Sequence, residues 1–322
     1  MIFYPFELHT HTIHSDGSYE PEKMVELAKR AGLFGVAITD HNTVSGNRDA
    51  MEAGQRLGVL VIPGIEWTTF YGHLTVLGGS AGNWRDVNPQ NVLKKVKEAR
   101  LSGACVGVAH PCRPGYPICT GGYDCWGLKP KDYAIFTHYE AWSYLSPALK
   151  ITNDHASDKY LEICRAGVKI ACAYGRDWHK GVHQECNAVT YLGIDGDPNI
   201  RSSLNAIIKG HTYISTGIRL EAWLNSAKGV YYDIGATPND GEYEFAGMVA
   251  RSADKVSQKY AVKPQVVELS GTAGTYRCEV NGFKHFSMTV KASKGEFLQP
   301  RIYGEISGRN ALLLQGTPFF FK

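Results

Sequence analysis

The feature that most constrains the fold is an alternation of apolar runs and helical patterns over roughly the first 216 residues. Residues 35–39 and 133–142 are among the predicted strands. Segments with apolar residues at helical spacing, such as residues 45–57 and the segment that begins at Asn88, predict helices, and glycines such as Gly32 and Gly58 come after these segments. A turn at Tyr71-Gly72 followed by a strand over residues 73–77 predicts a hairpin. Because the crossover between parallel strands is usually a helix, the alternation predicts parallel strands wound as βα units. Either a closed barrel or an open sheet satisfies this pattern.

The pattern changes at about Arg219, where short alternating segments separated by turn residues begin. Such segments predict a small β-sandwich or another β-rich domain. The length of 322 residues accommodates both parts. We therefore expect an α/β domain over residues 1–218 and a β-rich domain over residues 219–322.

Charge and hydropathy indicate what kind of partner the chain binds. The 34 basic and 31 acidic residues give a net charge of +3, and no long basic run is present. Nothing in this pattern requires nucleic acid or membrane as a partner, so neither is expected. The expected partner is a small-molecule substrate, anionic or an ester, and this expectation rests on the metal-binding residue types and arginines and not on the net charge. No segment reads as a membrane span or a leader, which predicts a cytoplasmic protein or an exported one whose leader has been removed. The oligomeric state is left open.

Three of the eight cysteines, Cys112, Cys119 and Cys125, fall in one segment rich in glycine and proline. Their spacing is not that of a zinc site, so we expect loop thiols or one loop disulfide. This segment, residues 112–131, is longer than most loops and is a candidate lid. Its aromatic residues are Tyr116, Tyr123 and Trp126.

Residue types that bind metal ions recur where the predicted strands end. His9 and His11 alternate at the end of the first strand, so both imidazoles point to one face and can reach one ion. Later strand ends and turns add further candidates: Asp16, His41, Glu66, His110, Glu140, Asp177 and His179. Each residue alone has a structural alternative, such as a hydrogen-bonded core histidine. Buried charges are unfavourable unless they are paired or bound to metal, so the repetition predicts a metal centre.

The ligand types indicate the kind of metal. Imidazoles and carboxylates without thiolates suit zinc, manganese or iron. The candidates outnumber the ligands of one tetrahedral ion, so we expect two or three divalent ions. Closely spaced ions can hold a water as hydroxide near neutral pH.

These motifs, in this order and context, resemble the PHP (polymerase and histidinol phosphatase) superfamily over about residues 3–216. The segments that carry the resemblance are His9-Thr10-His11, Ser15-Asp16-Gly17, residues 38–41, residues 64–66, residues 109–111 and Asp177-Trp178-His179. Residues 209–217 and 300–304 are similar to the branch that includes carbaryl hydrolase-like proteins. Members of that branch place a β-rich tail after the barrel.

The resemblance implies a distorted seven-stranded βα (TIM-like) barrel of PHP type with a C-terminal β-rich domain and a two- or three-metal cluster. The implied ligands are His9, His11, Glu66 and Asp177 for the first ion, Glu66 and His110 for the second, and Asp16, His41 and His179 for another. Many members have histidines where Asp16 and Glu140 stand here. Both two and three ions therefore stay open.

Three other polar residues are candidates for catalysis: Asp40, His73 and Glu140. Asp40 either orients a ligand histidine or acts as an acid or base beside the metal. His73 either faces the cluster or is a structural strand histidine. Glu140 is a metal ligand, a proton acceptor or a group that supports a ligand.

Arg113, Arg176 and His183 are candidates for binding an anionic substrate group. The two arginines flank predicted metal ligands, and guanidinium groups bind phosphate oxygens bidentately. The alternative is that they are solvated loop charges.

The ligand set predicts hydrolysis by a metal-bound hydroxide. Phosphoesters are the leading substrates, because the superfamily that the chain resembles is rich in phosphatases and because arginines flank the ligands. Carbamate or carboxyl-ester hydrolysis is the alternative that the narrower resemblance implies. A third hypothesis is a metal-bearing protein without catalysis, whose β-rich tail binds a glycan or a protein.

Overall fold

The computed structural model describes residues 1–79, 82–114, 124–181, 187–255 and 261–322. The strands in chain order are β1 (Ile2–Glu7), β2 (Gly35–Ile38), β3 (Leu60–Thr69), β4 (Gly72–Leu77), β5 (Cys105–Val108), β6 (His138–Ser143), β7 (Ala171–Gly175), β8 (Val189–Ile194), β9 (Thr212–Ser215), β10 (Ile218–Ser226), β11 (Tyr231–Asp233), β12 (Gly241–Arg251), β13 (Val262–Gly271), β14 (Gly274–Glu279), β15 (His285–Ala292), β16 (Phe297–Ile306), β17 (Arg309–Gly316) and β18 (Phe319–Phe320). The helices are α1 (Pro21–Arg30), α2 (Asn47–Leu57), α3 (Val92–Leu101), α4 (Ile151–Arg165) and α5 (Ile200–Lys209), with short 3₁₀ helices at Pro130–Ile135 and Pro147–Leu149.

The helices form where the sequence carries their signals. In α1, Pro21 occupies the first turn, Glu22 lies near the N-terminus, and two basic residues lie in the last turn. Met24 and Ala28 are fully buried, so one face of the helix packs on the core. Helices α2 and α5 end at Gly58 and Gly210, whose left-handed φ angles of 70° and 74° suit residues without a Cβ. None of the described helices has the length and the apolar character that crossing a membrane requires.

The fold is α/β, as predicted, but its sheet is mixed. The strand order from β9 to β7 is β9-β8-β1-β2-β3-β4-β5-β6-β7. Strands β1 to β3 and β5 to β7 pair in parallel, whereas β4, β8 and β9 pair antiparallel with their neighbours. The expectation of parallel strands is therefore wrong for β8 and β9. The antiparallel pairing of β3 with β4 confirms the hairpin predicted from the turn at Tyr71-Gly72, because this turn is too short for a helical crossover.

Strand β7 ends this strand order, and threonine hydroxyls bind its outer edge. The Thr190 hydroxyl accepts from Tyr174 N (2.9 Å) and donates to Tyr174 O (3.0 Å). The Thr317 hydroxyl accepts from the Cys172 backbone N–H (2.9 Å), and the Thr212 hydroxyl donates to the Cys172 carbonyl (2.7 Å). Side chains therefore satisfy backbone groups that a further ladder would otherwise pair.

The chain beyond β7 pairs directly with the chain beyond β1. Thr10 and Trp178 form a parallel bridge, in which His11 N donates to Trp178 O (3.0 Å) and Trp178 N donates to His9 O (3.1 Å). The two ligand motifs that flank this bridge, His9-Thr10-His11 and Asp177-Trp178-His179, are consequently held side by side.

The C-terminal part is a β-rich domain, as the alternating segments predicted. Strands β10, β11, β12 and β15 form one sheet, while β13, β14, β16, β17 and β18 continue the long sheet through the antiparallel pairing of β17 with β9. Buried residues of the two sheets, such as Leu220, Phe245, Val267 and Ile302, belong to one apolar core.

Three local predictions need correction. Residues 130–135 form a 3₁₀ helix, and the strand predicted from Tyr133 begins only at His138. Pro130 favours a helical turn, and the Asp132 carboxylate stabilises it by accepting from the Lys129 backbone N–H (2.8 Å). Strands β10 and β16 were not predicted, although β10 alternates buried and exposed residues over most of its length. The alternating segments that predicted strands were residues 231–234, 243–245, 266–269, 276–280, 285–290 and 311–314.

Candidate metal centre

The predicted ligands gather at the carboxyl ends of the strands of the α/β part. His9 and His11 follow β1, His41 follows β2, His110 follows β5, Asp177 and His179 follow β7, and Glu66 lies in β3. The parallel pairing of β2 with β3 continues as a bridge between His41 and Glu66, which explains why these two residues are adjacent. Strand ends that share one edge thus bring ligands together from distant parts of the sequence.

Glu66 lies at the middle of the cluster and is completely buried. Its Oε1 lies 3.0 Å from His110 Nε2, 3.0 Å from His73 Nδ1 and 3.2 Å from His9 Nε2. Its Oε2 lies 2.8 Å from His41 Nδ1. One carboxylate therefore faces imidazoles from four segments, which is the arrangement that a bridging ligand requires.

Asp177 and Asp16 complete the cluster on the side of β7. Asp177 Oδ1 lies 3.1 Å from His11 Nε2 and 3.3 Å from His179 Nδ1. Asp16 Oδ1 lies 2.9 Å from His179 Nε2 and 3.5 Å from His41 Nε2. Asp177 has a φ of 55°, a left-handed conformation that non-glycine residues adopt at a cost and that is common at functional sites.

Three groups within this cluster have ligand atoms close enough to share an ion. In each group the ligand atoms lie within 4.8 Å of one another. The first group is His9, His11, Glu66 and Asp177, and the second group is His11, Asp16, His41 and His179. The remaining group is His41, Glu66 and His73. The first matches the set expected for the first ion. The second contains the set expected for another ion, together with His11.

The buried atoms of the cluster test whether divalent ions fit. Within the described ranges, several ligand atoms are buried yet have no hydrogen-bond partner: His9 Nε2, both ring nitrogens of His11, Glu66 Oε2, His73 Nε2, His110 Nδ1 and Asp177 Oδ1. Buried polar atoms without partners are unfavourable, and imidazole with carboxylate is a suitable donor set for zinc, manganese or iron. The residues therefore fit divalent ions.

The electrostatics keep the carboxylates ionised. Burial raises the pKa of Glu66, but the charges of His9, His73 and His41 outweigh it and hold this pKa well below its usual range. Burial likewise opposes ionisation of Asp177, yet the His11 imidazole, 3.1 Å from its Oδ1, and the charge of His9 keep its pKa well below the ordinary value. Both side chains are therefore in the form that binds metal.

Glu140 contacts two candidate ligand histidines, His9 and His110. Its Oε1 lies 2.8 Å from His9 Nδ1, which leaves His9 Nε2 directed at Glu66, and its Oε2 accepts from His110 N (2.7 Å). Of the three roles that the sequence left open, this geometry is that of a group supporting two ligands.

Asp40 lies beside the turn that carries Asp16. Its carboxylate accepts from the backbone N–H and hydroxyl of Thr12 (2.6 and 2.8 Å) and from the Ser15 hydroxyl (2.7 Å). Among the described residues, these hydrogen bonds reach Thr12 and Ser15 and no candidate ligand histidine. They hold the turn in place and decide between neither of the two predicted roles.

The candidate substrate residues differ in their surroundings. The Arg113 guanidinium donates to Asp177 Oδ2 and remains partly exposed. Arg176 is buried, with its guanidinium 4.0 Å from the Trp178 ring and donating to Gly181 O (3.1 Å), so it braces this loop. His183 lies outside the described residues.

The candidate lid is described only in part. Cys112 and Cys125 are not joined in a disulfide, while Cys119, Tyr116 and Tyr123 lie outside the described ranges. Trp126 is buried with its ring 6.0 Å from that of Tyr71, at the β3–β4 turn. Of the three aromatic residues in the predicted lid, Trp126 is therefore part of the core.

Glu7 is a functional candidate that the sequence reasoning missed. Its Oε1 accepts from the backbone N–H of His9 (3.0 Å) and of Arg176 (2.9 Å), and burial raises its pKa to about 8. It therefore joins the segments that carry the first and last ligands. An acidic residue within an otherwise apolar strand was the available signal.

The chain matches known proteins in part of its length. The model of the PHP domain family matches residues 7–110. A Methanocaldococcus jannaschii protein, uncharacterized protein MJ1587, is 31% identical over 124 residues, which are 35% of this chain and 69% of that protein.

Two other relatives share a shorter segment. A phosphoribosyl 1,2-cyclic phosphate 1,2-diphosphodiesterase from Eggerthella lenta is 42% identical over 20% of this chain and 24% of its own length. A 5'-3' exoribonuclease from Haemophilus influenzae is 34% identical over 20% of this chain and 23% of its own length. The chain thus spans about a quarter of the length of these two relatives.

A crystal structure of a two-domain protein from Bacteroides vulgatus, described as containing a predicted PHP-like metal-dependent phosphoesterase, has a similar fold. The TM-score is 0.52 at 15% identity, covering 99% of this chain and 95% of that chain. The narrower likeness to carbaryl hydrolase-like proteins is not confirmed by these comparisons. Taken with the family model and the archaeal relative, they show that the chain belongs to the PHP domain family.

Proposed function

We propose that this chain is a metal-dependent phosphoesterase. The observation that carries the proposal is the buried Glu66 carboxylate, which faces imidazoles from four segments, with the Arg113 guanidinium beside the neighbouring Asp177. Two of the relatives are named as enzymes that cleave phosphodiesters, a diphosphodiesterase and an exoribonuclease. These relatives support phosphoesters as substrates over carbamates and carboxyl esters. No contact among the described residues favours carbamates or carboxyl esters.

The ligand assignment follows the sequence prediction. We assign His9, His11, Glu66 and Asp177 to the first ion, Glu66 and His110 to the second, and Asp16, His41 and His179 to another. His73 is an additional candidate ligand, because its Nδ1 lies as close to Glu66 Oε1 as His110 Nε2 does and because it forms a group with His41 and Glu66. These sets accommodate two or three ions.

When bound, the divalent ions polarise a phosphoryl oxygen and make a water molecule acidic enough to ionise near neutral pH. The other roles fall to the chain's own residues. Glu140 and Glu7 orient the ligands, and Asp40 fixes the turn that carries Asp16. Arg113 binds the phosphoryl group of the substrate through the part of its guanidinium that Asp177 does not occupy.

We infer that the strands close into the distorted seven-stranded barrel expected of the family. Neighbouring strands pair in succession from β1 to β7, and the Thr10–Trp178 bridge joins the segments that follow β1 and β7. On this reading residues 1–218 form the barrel domain and residues 219–322 the β-rich domain.

A substrate screen tests the function. Protein loaded with manganese, zinc or iron is assayed with phosphomonoesters, cyclic and linear phosphodiesters, short oligonucleotides and aryl carbamates. The oligonucleotides are included because some relatives act on nucleic acid, a partner that the charge pattern did not predict. We expect turnover of a phosphoester and at least 100-fold lower kcat/KM for Asp177→Asn.

The control is Asp49→Asn, which removes an exposed acidic side chain from α2. Turnover of carbamates alone would favour the alternative hydrolase. If no ester turns over while Asp177→Ala keeps its full metal content, the cluster is not catalytic.

A further inference from the structure

A cavity of about 510 Å³ opens beside the metal centre, between the chain after β6 and the chain after β7. On one side it is lined by the proposed ligands Asp177 and His179, and on the other by Tyr144 and Leu145. Cavities of this size hold small organic molecules with most of their surface buried. A phosphoryl group at the ligand side would leave the remainder of a substrate near Tyr144.

Tyr144 is held in an unusual backbone conformation. Its φ is 65°, which is rare for a bulky residue, and two hydrogen bonds fix it there. Its N–H donates to Gly175 O (2.9 Å), and its carbonyl accepts from the Tyr174 hydroxyl (3.0 Å). The fold thus stabilises a strained position that directs an aromatic ring to the cavity, where 40% of the residue stays exposed.

The ring is also coupled to the metal centre through Arg113. The guanidinium carbon of Arg113 lies 4.3 Å from the centroid of the Tyr144 ring, and the same guanidinium pairs with Asp177. The Arg113 guanidinium and the Tyr144 ring are therefore adjacent. Leu145 adds an uncharged wall beside the ring.

We propose that Tyr144 and Leu145 form a leaving-group subsite that selects phosphoesters with a planar ring as leaving group, either an aryl group or a nucleobase-bearing group. The ring of Tyr144 stacks on this group while Arg113 binds the phosphoryl oxygens. The reaction is a hydrolysis: water adds to phosphorus, the bond between phosphorus and the ester oxygen breaks, and the ring-bearing alcohol leaves with a proton. The inference rests on the proposed phosphoesterase function.

Binding of non-hydrolysable phosphonates tests the subsite without relying on turnover. Phenylphosphonate and propylphosphonate are titrated by calorimetry into metal-loaded wild-type protein, Tyr144→Phe and Tyr144→Leu. The leucine variant keeps apolar bulk but removes the ring, and the phenylalanine variant keeps the ring. Tyr231→Leu, at an exposed tyrosine of β11, is the matched control.

We expect wild-type, Tyr144→Phe and Tyr231→Leu proteins to bind phenylphosphonate about 3- to 10-fold more tightly than propylphosphonate. The preference should disappear in Tyr144→Leu. Equal affinity of the wild type for both compounds, or a preference that survives in Tyr144→Leu, overturns the subsite and leaves the phosphoesterase proposal intact. An equal loss for both compounds in Tyr144→Leu shows instead that the ring only positions Arg113, which also overturns it.

Failure of the underlying function has a different signature. If metal-loaded wild-type protein binds neither phosphonate, the phosphoesterase proposal fails, and the subsite fails with it. Metal content and thermal unfolding are recorded for every variant, so that a variant that does not fold is recognised and replaced by Tyr144→Met.

Discussion

Glu140 influences the candidate metal centre although it is not itself assigned to an ion as a ligand. It orients the ring of His9 through Nδ1 and fixes the backbone of His110, so both proposed ligands depend on one carboxylate. Groups that orient ligands in this way affect metal affinity and activity nearly as strongly as the ligands do.

Glu140→Gln should therefore lower metal affinity or kcat/KM by about 10- to 100-fold, because the neutral amide is a weaker acceptor for an imidazole N–H. The measurement is metal titration together with steady-state kinetics. Glu98→Gln, an exposed carboxylate on α3, is the control and should behave as the wild type. Wild-type affinity and activity in Glu140→Gln would show that the carboxylate plays no part in the site.

The buried cysteines give a second prediction, which depends on pH. Burial raises the pKa of Cys105 and of Cys164 to about 12. The thiolate is the reactive form, so at pH 8 only about one in 10⁴ of these thiols is ionised, and reactivity grows only as the pH rises toward 12. Burial also keeps reagents away.

In native protein at pH 8, a thiol reagent should label the partly exposed Cys278 and leave Cys105 and Cys164 unmodified until the chain is denatured. Peptide mass spectrometry of labelled protein measures this. Rapid native labelling of either buried thiol would mean that the strand or helix carrying it opens readily.

Much of the site at this scale could be predicted from the sequence. The ligand types and their positions at strand ends identified His9, His11, Glu66 and the other expected ligands as one cluster. The sequence could not decide the role of Glu140 or His73, because their roles depend on which atom faces which neighbour. Glu7 was missed because its partners are backbone N–H groups, which leave no mark in the residue pattern.

At the scale of elements, Asp177 and His179 follow β7, which is paired by a ladder only with β6 among the described strands. Its other edge is bound by the hydroxyls of Thr190, Thr212 and Thr317. These bonds fix the strand whose extension meets the end of β1, and thereby hold the two ligand motifs together.

Thr190→Val should destabilise the protein by about 1–3 kcal/mol, because an almost isosteric side chain leaves the Tyr174 N–H and carbonyl without their buried partner. Urea unfolding measures the change. Thr275→Val, on the exposed edge strand β14, should shift the midpoint little. The proposed role of the threonine bonds is contradicted by equal unfolding free energies for Thr190→Val and the wild type.

The sequence predicted helices and strands better than it predicted their pairing. Apolar periodicity and glycine positions located the five helices among the described residues, with the starts of α2 and α3 displaced by a few residues. The hairpin of β3 and β4 was predicted from the turn at Tyr71-Gly72, whereas the antiparallel pairing of β8 and β9 was missed, since alternation of elements does not encode strand direction. The 3₁₀ helix at Pro130–Ile135 replaced the first part of the strand predicted over residues 133–142, because Pro130 and the Asp132 carboxylate act locally.

At the scale of the whole molecule, the β-rich part is connected to the α/β part by more than the chain. Strand β17 pairs with β9, and Thr317, just after β17, bonds to the backbone of β7. Gln315 of β17 also donates to Ser157 on α4 (2.8 Å). The β-rich domain therefore contributes directly to the position of the strand that carries the last ligands.

Removal of residues 219–322 should consequently lower both the stability of the remaining chain and its metal content. The fragment 1–218 loses the β17 pairing and the hydroxyl that binds Cys172 N–H. Metal analysis and circular dichroism of the fragment, compared with the full chain, measure the effect. A fragment that folds and binds metal as the full chain does would show that the two parts are independent.

Elemental analysis is the direct test of whether the cluster around Glu66 binds divalent ions. Wild-type protein and Glu66→Gln are equilibrated with manganese, zinc or iron, desalted and analysed for metal per chain. We expect two or three ions per wild-type chain and the loss of at least one in Glu66→Gln, because this carboxylate is assigned to two ions. Wild-type protein without tightly bound divalent metal, or a variant with unchanged content, would contradict this expectation.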